Sequence, residues 1–335
     1  MLHRNGGIFK PGRRPRGLAD EGQSATMPRM SNHPPGQTPA PTPVCDYEGS
    51  DYRARFWQGQ GRDYEDQVER IALRRLMPPR GDTLLDVGAG FGRLADEYRG
   101  YERVVLFDYS RSLLREAQAH LGDDPRYLYV AGNWYQLPFV DCLFETMVQV
   151  RTLHHAADAP ALFDELARVA HPRANYVLEF ASKHNLKAMI RYWLGRQSWS
   201  PFDEEPVEFV TLNFDFHPAW IRERLAAAGF APGETLTASH FRFAPIKRVV
   251  PVGSLASLDS ALQRTGAWWQ LTPSVFVHGL RADSGPAADP GAFFACPTCR
   301  TPLGEPDDGM LICANPACGR RWRVENGLYD FKEPI

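Results

Sequence analysis

The 335-residue sequence is poor in several features at once. It has six cysteines, and four of them crowd between residues 296 and 318. Cysteines spread so unevenly do not make the framework of a disulfide-stapled secreted domain; they argue for a reducing compartment and for metal ligation. No apolar run approaches the roughly 20 residues that cross a bilayer. The N-terminus, MLHRNGGIFKPGRRPRG, carries charge but no apolar stretch of the kind a secretory leader needs. Net charge is only -2, so no global field draws the chain to nucleic acid or an anionic membrane. Internal repeats are lacking. These absences lead to the expectation of a soluble, cytoplasmic protein without a membrane span.

What is there suffices for one large core. With 43% hydrophobic residues, the length accommodates an α/β domain and a small appendage. Residues 1–45 are rich in Pro, Gly, Ser and Thr and show neither helical nor strand period, so a disordered arm is expected. It carries Arg4, Lys10, Arg13, Arg14, Arg16 and Arg29 against Asp20 and Glu21. That suits a solvated tail, a start codon placed too early, or a basic arm for RNA. From 46 to 282 strand and helix patterns alternate: TLLDVG, RVVLFDYS, RYLYVAG, FETMVQVRTL and NYVLEFA as strands, with helices expected over DYEDQVERIALRRLMP, GRLADEYRG, SLLREAQAHLG and PALFDELARVAHP. Such alternation predicts a doubly wound, mostly parallel sheet. Residues 183–216 break the rhythm with seven aromatics and read as an insertion or lid over the sheet's active edge, or as a small satellite core. HPAWIRERLAAAGF, TLTASHFRF and SVFVHGLRA complete the domain, 283–291 form a linker, and 292–335 hold the cysteines.

Asp86-Val87-Gly88-Ala89-Gly90-Phe91-Gly92 follows a strand. Glycines at alternate positions let backbone turn tightly and approach a ligand without a Cβ in the way. A dinucleotide loop would space its glycines G-x-G-x-x-G and avoid an acid facing the pyrophosphate. Here the spacing is G-x-G-x-G, and the acid suits an amino group. The run resembles the first motif of the class I S-adenosylmethionine-dependent methyltransferases, of the type 11-like kind. The resemblance covers about residues 60–230 and implies a Rossmann-like fold with S-adenosylmethionine as cofactor. It places Asp86, Gly88, Ala89, Gly90 and Gly92 against the methionine part, and Asp108 with the following Tyr109 at the ribose. The third site, GNWYQLPF, has Asn133 where the family usually has Asp, with Trp134 lying along the adenine.

Methyl transfer from a sulfonium needs a base only for an alcohol, a protonated amine or an acidic carbon. His154 and His155, just after the fourth strand, are the candidate catalytic residues; the competing reading makes them structural. Glu179 on the fifth strand is a lesser candidate that burial could turn into a packing group. The chain lacks the Asn/Asp-Pro-Pro-aromatic run that base-methylating enzymes often carry after that strand.

Cys296-x2-Cys299 and Cys313-x4-Cys318 place two pairs of thiolates at the ends of a hairpin, a pattern that suits tetrahedral Zn2+. About forty residues cannot fold on a core alone, so the metal would supply folding free energy. CPTCRTPL, LIC, CANPACGRRW and RVENGLYDF together resemble the small zinc-ribbon family of methyltransferase activators. Here the second knuckle is longer than that family's C-x2-C. The resemblance implies a ribbon that binds and steadies the catalytic domain, in this chain by docking intramolecularly. Five cations against six acids between 296 and 335 disfavour a phosphate-binding finger. Cys45, in the arm, and Cys142, in a loop, are left out of the metal set. Three readings stay open: a methyltransferase for a small-molecule or lipid-like acceptor, one for RNA or a translation factor, and a non-catalytic cofactor-binding scaffold.

Overall fold

The computed structural model describes residues 42–50, 52, 53, 57, 61–282 and 285–335. Most of the expected arm, residues 1–41, lies outside the described residues, as do two residues of the expected linker, 283 and 284. The central sheet is built from β1 (Gly81–Val87), β2 (Tyr101–Asp108), β3 (Tyr127–Ala131), β4 (Phe144–Gln149), β5 (Ala170–Ala181), β8 (Phe230–Ala238) and β9 (Ser274–Arg281). These lie in the order 3-2-1-4-5-9-8. All neighbours from β3 to β5 are parallel, and β9 runs antiparallel between β5 and β8. The order reverses direction at β1, between β2 and β4, and open α/β sheets form a ligand crevice at such a point.

Adjacent residues of each inner strand face opposite layers. Leu85, Val105 and Met147 join Phe163, Leu166 and Ile221 on one side. Leu84, Val104 and Leu106 join Val68, Leu73, Leu114 and Leu255 on the other. Helices therefore cover both faces, and both must: β2 buries a continuous apolar run, VVLF, with side chains pointing to each face. On the second face lie α1 (Asp63–Leu76), α2 (Arg111–Leu121) and α7 (Val252–Leu262); on the first lie α3 (Ala159–Val169) and α5 (Pro218–Ala227). Caps set their starts. Ser110 Oγ accepts from Leu113 N, and Asp158 accepts from Ala161 N. Acids at 63, 65 and 66 and arginines at 74 and 75 place favourable charge at the two ends of α1.

Three expectations are corrected here. GRLADEYRG is no helix but a single 3-10 turn, Ala95–Tyr98. Three left-handed glycines, at φ 78°, 55° and 75°, consume the start, and Gly100 must already pass close over the Pro79 carbonyl to enter β2. Helix α3 stops at Val169, before Pro172, because β5 begins at once and runs through that proline. The fourth strand ends at Gln149, and Leu153–His155 form a 3-10 turn.

The insertion divides in two. Helix α4 (Leu186–Trp193), the hairpin β6 (Val207–Val210) with β7 (Asn213–Asp215) and the loop between them carry Trp193, Phe209 and Phe202 exposed, while Phe216 and Trp220 stack at 5.5 Å inside the main core. Helix α6 (Ala244–Val249) precedes α7.

The C-terminal segment folds as β10 (Met310–Ile312), β11 (Arg321–Glu325) and β12 (Leu328–Asp330) and extends the same sheet to ten strands. Strand β12 pairs in parallel with β3, Leu328 with Tyr129 and Asp330 with Ala131. Phe294, Leu303, Trp322 and Phe331 enter the first core layer beside Phe139 and Phe144. Residues 42–335 thus form one compact unit. Docking the segment covers what would otherwise be an unpaired edge at β3.

Candidate functional site: a cleft at the sheet's switch point

The carboxyl ends of β1, β2 and β4 open into a cleft of about 860 Å³, mouth included. Asp86 sits at the end of β1, almost wholly buried, and accepts a hydrogen bond from Tyr98 at 3.0 Å. Burial pushes its carboxyl up to about 7. The loop that follows is pinned to β2: Gly88 N and Ala89 N both donate to Phe107 O. Gly88 could not be another residue, because a Cβ there would lie 2.4 Å from Thr152 Cγ2.

Asp108 ends β2. Gly90 N donates to its Oδ2 and Ser110 N to its Oδ1, each at 2.8 Å. Burial raises this carboxyl to about 6, even though both amides pull the other way. With the Gly88, Ala89 and Gly90 amides committed, Asp86 and Asp108 are the acceptors at the two strand ends, which suits hydroxyl or ammonium donors.

Asp86, Gly88, Ala89, Gly90, Asp108, Tyr109, Trp134 and His155 all line the cleft. Three expected residues do not. Gly92 packs against α2, where a Cβ would come within 3.2 Å of the Ala117 Cβ. Asn133, half-buried, accepts from Tyr135 N at 2.9 Å in a local turn, and Gly132 and Trp134 form the wall on either side of it. His154 lies against His155, ring centroids 3.9 Å apart and the planes tilted by 46°.

His155 has a defined tautomer. Its Nδ1 meets the Leu212 carbonyl, at the tip of the β6–β7 hairpin, at 2.9 Å, and a carbonyl only accepts, so Nδ1 carries the proton. Nε2 is then the acceptor, and the Tyr47 hydroxyl donates to it at 3.0 Å. Burial lowers the pKa of His155, and burial with the adjacent His155 and Arg151 lowers that of His154 well below its usual value, so both are neutral near pH 7. Glu179 is structural: buried in β5, it accepts from Arg151 N and Ser274 Oγ.

The sequence reading missed much of the near wall. Val44 and Cys45, which fall within the range expected for the arm, line the cleft together with Tyr47. Arg93 and Arg151 also face the cleft, both paired with Glu69 behind them. Arg93 lies over the Trp57 ring at 4.1 Å. Position was the available signal: Arg93 directly follows the glycine loop, and Arg151 directly follows the fourth strand.

A family model described as a methyltransferase domain matches residues 85–178, the stretch from β1 to β5 that carries this cleft. The chain carries a methyltransferase domain. This methyltransferase domain has the Rossmann-like sheet of that family, with an antiparallel β9 at its far side. The chain is 30% identical over 120 residues to a demethylmenaquinone methyltransferase of Clavibacter sepedonicus, covering 35% of this chain and 49% of that one. It is 23% identical over 158 residues to 24-methylenesterol C-methyltransferase 2 of Arabidopsis thaliana, covering 45% and 40%. A chain from the complex between the Haloferax volcanii Trm112 methyltransferase activator and a methyltransferase aligns at 19% identity and a TM-score of 0.47, covering 69% of this chain and 98% of that one. The chain spans about half the length, or less, of these two curated relatives.

Outside the methyltransferase domain, Cys296, Cys299, Cys313 and Cys318 bring their sulfurs within 4.8 Å of one another. Cys296 lies 3.7 Å from Cys318 and Cys299 lies 3.4 Å from Cys313. Zinc–sulfur bonds of about 2.3 Å in a tetrahedron separate the sulfurs by about 3.8 Å, so the four fit that ion. Arg300 and Gly319, at φ 64° and 56°, make the turns that fold each pair back on itself.

Proposed function

We propose that the chain is an S-adenosylmethionine-dependent methyltransferase for a small, apolar acceptor, with a zinc ribbon built onto its sheet. The observation that carries this reading is the half-buried Asp108 carboxylate at the switch-point cleft, hydrogen-bonded to the glycine loop through Gly90 N. In this reading Asp108 accepts the vicinal ribose hydroxyls, Trp134 lies along the adenine, and Asp86 with residues 88–90 holds the amino-acid end. S-adenosylmethionine, when bound, supplies a methyl group on a sulfonium. The chain's part is to orient it and to keep water out, with Tyr47, Trp57 and Val150 as walls.

His155 presents Nε2 as a neutral acceptor beside the cleft and is the proposed base for an acceptor hydroxyl or acidic carbon. Tyr47, now donating to Nε2, would have to share or yield that position. His154, packed against it at a tilt, serves as a packing partner. An apolar acceptor is supported by the menaquinone- and sterol-related names of the relatives. The exposed aromatics of the insertion, whose hairpin tip touches His155, support it as well. The ribbon is proposed to hold one Zn2+ on its four cysteines and to steady the catalytic sheet through β12.

Incubating the protein with methyl-labelled S-adenosylmethionine and a cell extract tests the acceptor class. Label should partition into organic solvent. Label released by nuclease or protease would replace the small-molecule reading with RNA or protein. Absence of S-adenosylhomocysteine binding by calorimetry would remove the enzyme reading altogether.

A further inference from the structure

Lys332 follows β12 in the C-terminal tail, yet its ammonium reaches the rim of the cleft. Nζ lies 3.3 Å from Asp46 Oδ2, 3.8 Å from Glu48 Oε2 and 3.9 Å from the centre of the Tyr109 ring. Its side chain is 5% exposed. A cation so buried persists only with compensating partners, and here it has two carboxylates and an aromatic face. Its backbone is held from both sides: Phe331 N donates to Ala131 O at 2.7 Å, and Lys332 N to Asp330 Oδ1 at 3.1 Å.

The partners are what give this contact meaning. Asp46 and Glu48 flank Tyr47 in the segment that forms the near wall. Glu48 also accepts from Arg111 N and Ser112 N at the start of α2, and Gly49 N donates to Ser112 Oγ. Tyr109 follows the proposed ribose acceptor Asp108 and lines the cleft. The Lys332 charge also opposes the upward push that Asp46 exerts on Asp108. Without that cation, the like charge of Asp46 would act on Asp108 unopposed by Lys332.

We propose that Lys332 is a positioning residue of the cofactor cleft: it clamps segment 44–49 and the Tyr109 ring in place, so that the C-terminal segment completes the cofactor site. This rests on the cleft being the S-adenosylmethionine site. It assigns the ribbon a role beyond covering the β3 edge, because the wall and the ribbon's tail share one ion cluster.

Calorimetry of S-adenosylhomocysteine on the full-length, zinc-loaded protein tests the clamp. Lys332→Ala and Asp46→Ala should each raise Kd about tenfold, and the double variant should be no more than about twofold weaker than Lys332→Ala alone, since both remove one interaction. Hydrogen exchange of the apo protein should accelerate over residues 44–50 in Lys332→Ala and stay unchanged over β1–β5. Wild-type affinity and wild-type protection in Lys332→Ala would overturn the proposal. Should that variant fail to retain zinc, Asp46→Ala decides, and wild-type affinity there overturns it equally. If the wild type binds no S-adenosylhomocysteine, the cofactor reading is what falls, and the exchange comparison still settles whether Lys332 holds the segment.

Discussion

Arg300 grips Glu165 with both terminal guanidinium nitrogens, at 2.8 and 2.9 Å, across the seam between the ribbon and helix α3. Glu165 is the buried partner and also accepts from Leu137 N and Arg168. Arg300 is more than a third exposed, so solvent screens its side of the pair. Arg300→Ala should cost about 1 kcal/mol or less. Glu165→Ala should cost about 2–3 kcal/mol, because it leaves the buried Leu137 amide without its acceptor and takes a shared carboxylate from two arginines. Urea denaturation of the two variants measures the difference; equal costs would mean that the seam does not depend on Glu165.

Gly88→Ala places a methyl against Thr152 at a φ of 78°. Strain and overlap together should destabilise the fold by about 2 kcal/mol and abolish S-adenosylhomocysteine binding. Thr152→Ser removes the Cγ2 at 2.4 Å but leaves the Cβ at 2.8 Å and the left-handed backbone, so the double variant should recover only part of the stability. Thermal melts with and without ligand make the comparison.

Cofactor affinity should fall as pH drops from 8 to 5.5. The cleft carboxyls are raised to about 7 at Asp86 and about 6 at Asp108, so each keeps its proton to higher pH than a free carboxyl and is an ionised acceptor only above that point. Ligand hydroxyl donors favour the ionised form, so binding near pH 6 should release protons. Calorimetry in two buffers of different ionisation enthalpy reads this directly. Asp108→Asn should weaken binding at pH 8 and flatten the pH dependence near 6; a variant with the wild-type profile would dismiss Asp108 as the ribose acceptor.

Metal analysis of the purified protein should find one zinc per chain. Stripping it, or Cys313→Ser, should loosen β10–β12 and wet Trp322, which is buried beside Phe331 in the shared core. The expected sign is a red shift in tryptophan emission with a lower melting temperature. Full stability after chelation would mean that sheet pairing alone carries the ribbon.

With the acceptor in hand, His155→Phe should lower turnover about a hundredfold or more while leaving S-adenosylhomocysteine affinity within about twofold. Unchanged turnover would assign His155 to packing.

The parallel sheet was legible because its inner strands are short and mostly apolar, and two of the connections between them are helices with side-chain caps, Ser110 and Asp158. So was the core of the cleft: Asp86, the glycine loop and Asp108 are local to two strand ends, and strand ends are readable. The helix expected after the loop was not, since its failure depends on how little chain remains before Gly100 must pass Pro79. Asn133 and Gly92 looked like ligand contacts by position, but a turn to Tyr135 and the approach of α2 claim them instead.

By itself, the sequence determined the doubly wound fold class, the cleft's acidic and glycine-rich floor and the four-sulfur set, because each is encoded in residue type and short-range spacing. Only the tertiary structure decided that residues 44–49 wall the cleft, that β12 joins β3, and that Lys332 meets Asp46 from the far end of the chain. No local pattern marks such contacts. They arise where an unpaired sheet edge and a buried charge each find their partner across hundreds of residues.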